Sequence, residues 1–208
     1  LNTGDQFVLS KNKLLSTIAY KINGKICYAL EGSIFIAGAV VQWLRDSINI
    51  IDKADQVGHL ASKAKDQDIY FVPAFTGLGA PYWDPNARGA IFGLLRDTGR
   101  EEIALAALES IGFQTRDLLE AMIKDVEGMK RDHVKLRVDG GMTQSSLSMK
   151  ILANLTGVEI NIPTIQESTA KGVAWLAGMR AGLYNQLEVF EKEWALKETF
   201  LPVISAKE

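Results

Sequence analysis

The chain is poor in cysteine, proline and histidine, with one Cys, five Pro and two His in 208 residues. A lone Cys27 cannot close an internal disulfide, which excludes the disulfide-stapled secreted class. It reads as a buried structural thiol, since no histidine lies near it in the sequence. His59 and His133 are isolated near element ends, and no His/Cys/Asp/Glu group has metal-ligand spacing. Net charge is lacking as well. Twenty-five acidic and 23 basic residues leave −2, so there is no electrostatic footprint for nucleic acid or anionic membrane. No apolar run approaches the roughly 18 residues of a membrane span. Leu1 to Asp5 shows no basic segment ahead of an apolar one, so no signal peptide is read there. A cytoplasmic protein is the expectation, with no nucleic acid and no membrane among its partners. The chain opens on Leu1 in what reads as the middle of something, which points to a fragment.

What is present is an ordinary globular composition, 47% hydrophobic and 23% charged, which excludes global disorder, a collagen-like repeat and a coiled coil. Two β-type runs, Leu14 to Ile22 and Lys25 to Leu30, flank Asn23-Gly24 and predict a hairpin, because a type I′ turn needs positive φ at both central residues. Phe7-Val8-Leu9 is a candidate third strand. Ser33 is placed to cap a helix from Ile34 to about Ile48 with Gly38 inside it, and a second helix covers roughly Ala54 to Lys65. Ile69 to Val72 and Ala90 to Leu94 read as short strands around a long Gly/Pro/aromatic loop, Pro73 to Pro85. Thr98-Gly99-Arg100-Glu101 has the form of a capping box and opens the longest helix, to about Val126. Val134 to Val138 alternates as a strand and runs into Asp139-Gly140-Gly141. A helix follows, ending at Gly157, then a strand from Val158 to Ile162 and a small-residue helix from Ser168 or Thr169 to Gly182. That small-residue helix is expected to pack tightly on its neighbour. Gln186 to Trp194 is a candidate short helix, with a tail from Leu201. This order of elements predicts α/β with one mixed sheet.

The strand, Asp-Gly-Gly turn and helix at Val134 to Leu155 carry the most chemistry. A glycine pair lets a ligand approach the backbone, and the helix start that follows offers unpaired N–H groups suited to phosphate. The same residues also suit a tight βα turn closed by an Asx hydrogen bond. It is not a Walker A loop, since no Gly-Lys-Ser/Thr follows. Gly38, one turn before Gln42, either admits a ligand to the backbone or admits a neighbouring helix. Asp84, Asp97 and Asp139 lie in loops, and none has a partner that marks it as a general base. Tyr82 and Trp83 stand out because a purely structural loop of that length is uncommon.

The segment Pro73-Ala74-Phe75-Thr76-Gly77-Leu78-Gly79-Ala80-Pro81-Tyr82-Trp83-Asp84-Pro85 resembles a signature loop of the FGGY carbohydrate kinase family. Gly89 to Leu94, Glu102-Ile103, Ala106 to Glu109, Tyr28 to Gly32 and Gln42-Trp43-Leu44-Arg45-Asp46 match the same pattern, so the likeness runs from Asn2 to about Pro202. The resemblance implies an α/β, ribonuclease-H-like (actin-like ATPase) domain, a mixed β-sheet flanked by helices. Residues 1–208 would then be a single C-terminal, nucleotide-binding domain of a two-domain kinase. Family members of this kind move the γ-phosphoryl of ATP to glycerol, use ATP/ADP with Mg²⁺ and are often homo-oligomers. Carried over by position, the nucleotide contacts fall on Gly38, Gln42, Gly140, Gly141 and Ser145, with Asp139 opening the adenosine motif. Thr169 to Gly172 resembles the second connecting motif. The family commonly has Asn where this chain has Ser145, which is shorter and has no amide. No catalytic residue and no metal ligand is carried over. The base, the glycerol-binding residues and the Mg²⁺ ligands are expected upstream, so the isolated chain is expected to be inactive. Two rival readings stay open, a non-catalytic module with this fold and a kinase for another polyol or sugar.

Overall fold

The computed structural model describes residues 1–65, 68–165, 167–183 and 194–203. The hairpin forms as the turn chemistry dictates. Strands β2 (Leu15–Ile22) and β3 (Lys25–Glu31) pair antiparallel around Asn23 and Gly24, at φ 50° and 80°. Its third strand is β1, Asn2–Gly4, and not Phe7 to Leu9. The free edge of β3 is already taken up by β1, and Leu1 and Leu30 exchange backbone hydrogen bonds of 2.7 and 2.9 Å. The Phe7 ring lies edge-on to Tyr28 at 5.4 Å instead.

Helix α1 (Gly38–Asp46) starts four residues later than Ser33 capping would place it. The Ser33 carbonyl is committed elsewhere, accepting from the Ala80 N–H at 3.0 Å. Gly38 is therefore the first helical residue, so the cost of a glycine in mid-helix does not apply to it. Helix α2 is shorter than expected, Gln56–Ala61. Strands β4 (Tyr70–Val72) and β5 (Ala90–Phe92) form a two-stranded antiparallel sheet.

Helix α3, Arg100–Asp125, is the spine. Its 26 residues extend about 39 Å at 1.5 Å per residue. Ala104, Ala106, Ala107 and Leu108 pack with Val40, Leu44, Val57 and Phe71, a cluster that ties α1, α2 and β4 to it. Leu119 joins a second cluster and Leu118 and Ala121 a third, with Leu14 and Leu30 of the hairpin region. The capping interaction sits one residue beyond the predicted box. Glu102, not Glu101, reaches back to accept from the Gly99 N–H at 2.8 Å, and it also accepts from the Lys65 N–H at 3.0 Å. At the other end Asp125 accepts from the Ser10 hydroxyl, the Lys11 N–H and the Asn12 amide.

Strand β6 (Lys135–Arg137) pairs parallel with β7 (Glu159–Pro163), and β8 (Leu196–Phe200) adds antiparallel to β7. This is the mixed sheet. The other strands divide between the hairpin sheet and the β4–β5 pair. Strand β8 was not legible in its sequence, Leu-Lys-Glu-Thr-Phe, and the short helix expected over Gln186 to Trp194 lies, but for Trp194, outside the described residues. Between β6 and β7, helix α4 (Ser146–Thr156) crosses back over α3. It stops at Gly157 with φ 68°, and Arg116 and Arg131 donate to the carbonyls of Leu155 and Thr156. Both guanidiniums share the Glu120 carboxylate, at 3.1 and 3.0 Å. Helix α5 (Ser168–Arg180) buries only Trp175 and Gly178 among its described side chains, so the expected tight packing of its small residues is not found. Among the described residues no helix is long and apolar enough to cross a membrane.

The loop from Pro73 to Pro85 is a clasp. Gly79 seats its backbone against Ser33, where a Cβ would lie 2.0 Å from the Ser33 carbonyl oxygen. The Trp83 indole N–H donates to the Lys13 carbonyl at 2.6 Å, and the Tyr82 hydroxyl donates to Asp117 at 2.8 Å. That hydrogen bond, with some burial, pushes the Tyr82 phenol up to about 12. Asp84 closes an Asx turn on the Asn86 and Ala87 N–H groups, and Asp97 pairs with Lys65 at the surface. The exposed aromatics of this loop thus have structural partners.

Two outcomes follow. Gly79→Ala forces backbone apart and is expected to lower the unfolding free energy by about 1–3 kcal/mol, as overpacking does, read from the urea midpoint. Three of the carboxylates held below their ordinary range in the fold are Glu102, through the Lys65 and Gly99 N–H groups, Glu120, chiefly through Arg116, and Asp125, where partial burial opposes ionisation but the Ser10, Lys11 and Asn12 donors prevail. A carboxylate depressed in the fold stabilises it at pH above its unfolded value of about 4 and loses that contribution as pH falls through its folded value. The urea midpoint should drop steadily from pH 5 to pH 3. A flat profile would contradict these assignments.

Candidate functional site

A cleft of about 470 Å³ opens between α1, the entry to α2 and the turn that joins β6 to α4. Helix α1 contributes Gly38, Val41, Gln42 and Arg45, and the α2 entry contributes Ala54, Asp55 and Val57. The turn contributes Gly141, Met142, Gln144 and Ser145, with Ser148 from the first turn of α4. Four of the five residues singled out by sequence, Gly38, Gln42, Gly141 and Ser145, therefore meet at one opening. Gly140 adjoins it without lining it.

The two glycines of the turn do different work. Gly140 sits at φ 86° and ψ −179°, a conformation that L side chains rarely adopt. Gly141 has no such backbone constraint, and a Cβ there would meet nothing within 4 Å. The turn between them and α4 is a 3₁₀ segment, Gly141–Gln144, closed by the Thr143 N–H and hydroxyl donating to the Gly140 carbonyl at 3.1 and 2.7 Å. The order expected from the sequence, strand, glycine turn and helix, is present, with this short 3₁₀ segment leading from the glycines to α4. Asp139 falls beside a different, smaller cavity with Arg137, Pro163, Ser168 and Trp194. Arg137 lies over the Trp194 ring at 4.3 Å from its centre.

Ser145 is the N-cap of α4. Its Oγ accepts from the Ser148 N–H at 3.2 Å and lies 2.9 Å from the Ser148 Oγ. Asn and Ser are equally good in this role, so the departure from the family pattern keeps the cap. At Gly38 a Cβ would make ordinary contact with Met142 at 3.8 Å, so packing against Met142 does not demand a glycine there. Packing does demand one at Gly58, where a Cβ would lie 2.7 Å from the Ser145 Oγ. The missing side chain lets α2 close the side of the cleft. Arg45 grips the neighbouring Asp46 at 2.6 and 2.8 Å, which holds that carboxyl below its usual range.

Sequence reasoning missed Gly58, Ser148, Gln144 and Asp55. Gly58 left a signal, a glycine inside a short helix. Ser148 left a weaker one, a further serine three residues after the cap. Cys27 is buried and its thiol donates to the Asn2 side chain at 3.0 Å, in keeping with a structural thiol. Among the described residues no group of three or more His, Cys, Asp and Glu could hold a metal ion.

Comparison with known proteins places these features in a group. The family model described as the FGGY family of carbohydrate kinases, C-terminal domain, matches residues 4–181. A glycerol kinase of Rhizobium rhizogenes is 56% identical over 208 residues, covering 100% of this chain and 42% of that protein. A glycerol kinase of Sinorhizobium fredii is 57% identical over 203 residues, covering 97% of this chain and 41% of its own length. Among solved structures, that of Plasmodium falciparum glycerol kinase with ADP superposes with a TM-score of 0.87 at 33% identity, covering 100% of this chain and 41% of that one. A ligand-bound xylulose kinase from Lactobacillus acidophilus gives 0.79 at 25% identity, covering 97% of this chain and 40% of its own. The chain thus spans about two fifths of the length of these relatives.

Removing the cap tests the local account. Ser145→Ala should cost about 1 kcal/mol of stability, the usual cost of losing an N-cap hydroxyl, measured by chemical denaturation. An unchanged midpoint would mean that α4 does not depend on this hydrogen bond.

Proposed function

The chain belongs to the FGGY family of carbohydrate kinases, and on that premise we propose that residues 1–208 form the C-terminal, nucleotide-binding domain of a kinase that phosphorylates glycerol to glycerol 3-phosphate. The observation that carries the proposal is that Gly38 and Gly141, far apart in the chain, line one cleft. Bare backbone on two facing walls leaves room for a flat base and its ribose. The cleft volume, about 470 Å³, lies within the usual range for small-molecule sites.

In this reading Gly141 and Gly38 receive the nucleoside, with Gly140 holding the turn in place. The Gln42 amide is exposed at the cleft wall and can both donate to and accept from ligand hydroxyls. The Ser145 hydroxyl takes the position of the family's amide. ATP supplies the phosphoryl group and Mg²⁺ neutralises its charge. The Mg²⁺ ligands, the base and the glycerol site belong, in this proposal, to the part of the longer relatives that this chain does not span. The chain's own share is to bind and orient nucleotide and to form one wall of a site that closes against water. By itself it is expected to bind nucleotide weakly and to transfer no phosphate. Cytoplasmic location and homo-oligomeric assembly belong to the same reading.

A thermal shift with ATP and ADP tests it. A ligand at 100 times its dissociation constant stabilises by about 2.7 kcal/mol, so millimolar nucleotide should raise the midpoint. Gly141→Leu should abolish that rise, because its side chain would project into the open space at this position, while the midpoint without ligand stays nearly unchanged. A rise that survives Gly141→Leu would put the nucleotide elsewhere.

A further inference from the structure

Ser148 is 6% exposed and lines the cleft. A buried hydroxyl at a cleft wall needs its hydrogen-bonding capacity matched. Its Oγ is 2.9 Å from the Ser145 Oγ, and Ser145 also accepts from the Ser148 N–H at 3.2 Å. The count of donors and lone pairs then constrains what the two side chains offer to a ligand.

Each hydroxyl has one proton and two lone pairs. One Ser145 lone pair is permanently taken by the Ser148 N–H. If the Ser148 hydroxyl donates to Ser145, the Ser145 proton is free to donate and Ser148 keeps free lone pairs. If the proton order reverses, Ser145 keeps one lone pair and the Ser148 proton is free to donate. Either way the pair presents one donor beside one acceptor, and rotating two hydroxyls exchanges them. An asparagine at the same cap behaves differently. Its carbonyl is committed to the N–H of residue 148, which leaves a fixed amide donor.

We propose that Ser145 and Ser148 act together as a reversible donor–acceptor pair that reads the base edge of a bound purine nucleotide, so that this cleft accepts adenine and guanine nucleotides alike. Adenine presents an amino donor beside a ring-nitrogen acceptor, and guanine presents a carbonyl acceptor beside a ring N–H donor. The pair complements both by turning over. Ser148 is the member on which the pair depends, since without it Ser145 has no neighbouring hydroxyl with which to exchange roles. This inference rests on the nucleotide reading of the cleft and adds the breadth of base to it.

The test is binding of ADP and GDP to the chain by calorimetry, for the parent sequence and for Ser148→Ala. The Ser148 backbone N–H survives this change, so the cap of α4 is retained, and a midpoint without ligand within a few degrees of the parent verifies the fold. The expected result is dissociation constants for ADP and GDP within about tenfold of each other in the parent. Ser148→Ala should weaken both by about 3- to 10-fold, the worth of a net hydrogen bond. Binding of ADP without GDP, or equal affinities in parent and Ser148→Ala, overturns the pair while leaving the nucleotide site standing. Binding of neither nucleotide to the parent overturns both.

Discussion

The cleft exists because two pairs of helices come closer than side chains would ordinarily allow. At Gly112 on α3 an added Cβ would lie 2.6 Å from Leu155 of α4, and at Gly58 on α2 it would lie 2.7 Å from the Ser145 hydroxyl. Those two missing methyl groups let α4 settle onto α3 and α2 settle onto the start of α4. Since interiors are close-packed and transmit strain, pushing either contact apart would move the turn that carries Gly141 relative to α1. The distance between the two bare-backbone walls thus depends on the Gly112–Leu155 packing behind the turn and on the Gly58–Ser145 contact at its rim.

Helix α3 makes that arrangement rigid. It shares a core with α1, α2 and β4 through its alanines, and the C-terminus of α4 is tied to it through Arg116 and Glu120. The hairpin and the Pro73–Pro85 clasp pack on its farther half through Leu118, Ala121 and Asp117. One long element thus holds both walls of the cleft.

Local chemistry was legible and tertiary competition was not. Asn23-Gly24 specifies its turn by backbone conformation alone, so the hairpin could be read directly. The Gly140–Gly141 turn was readable for the same reason, and its meeting with Gly38 followed from the family likeness and not from spacing. Ser33 failed as a cap because the Ala80 N–H claims its carbonyl, a contact between segments far apart in sequence. Strand β8 has five residues with four of them exposed, so it lacks the alternation that marks a strand and depends on β7 for its pairing. Tyr82 and Trp83 of the Pro73–Pro85 loop looked functional because they are conspicuous, yet their partners are Asp117 for Tyr82 and Lys13 and Phe35 for Trp83. Ser148 and Gly58 matter through what they touch, which no pattern in their own neighbourhood reveals.

A crystal structure of the chain grown with ADP addresses the central claim most directly. The account predicts density for the purine and ribose between the backbones of Gly38 and Gly141, with the base edge toward Ser145 and Ser148. A nucleotide seated at the Arg137–Trp194 cavity, or anywhere outside the walls formed by α1 and the Gly141 turn, would contradict it.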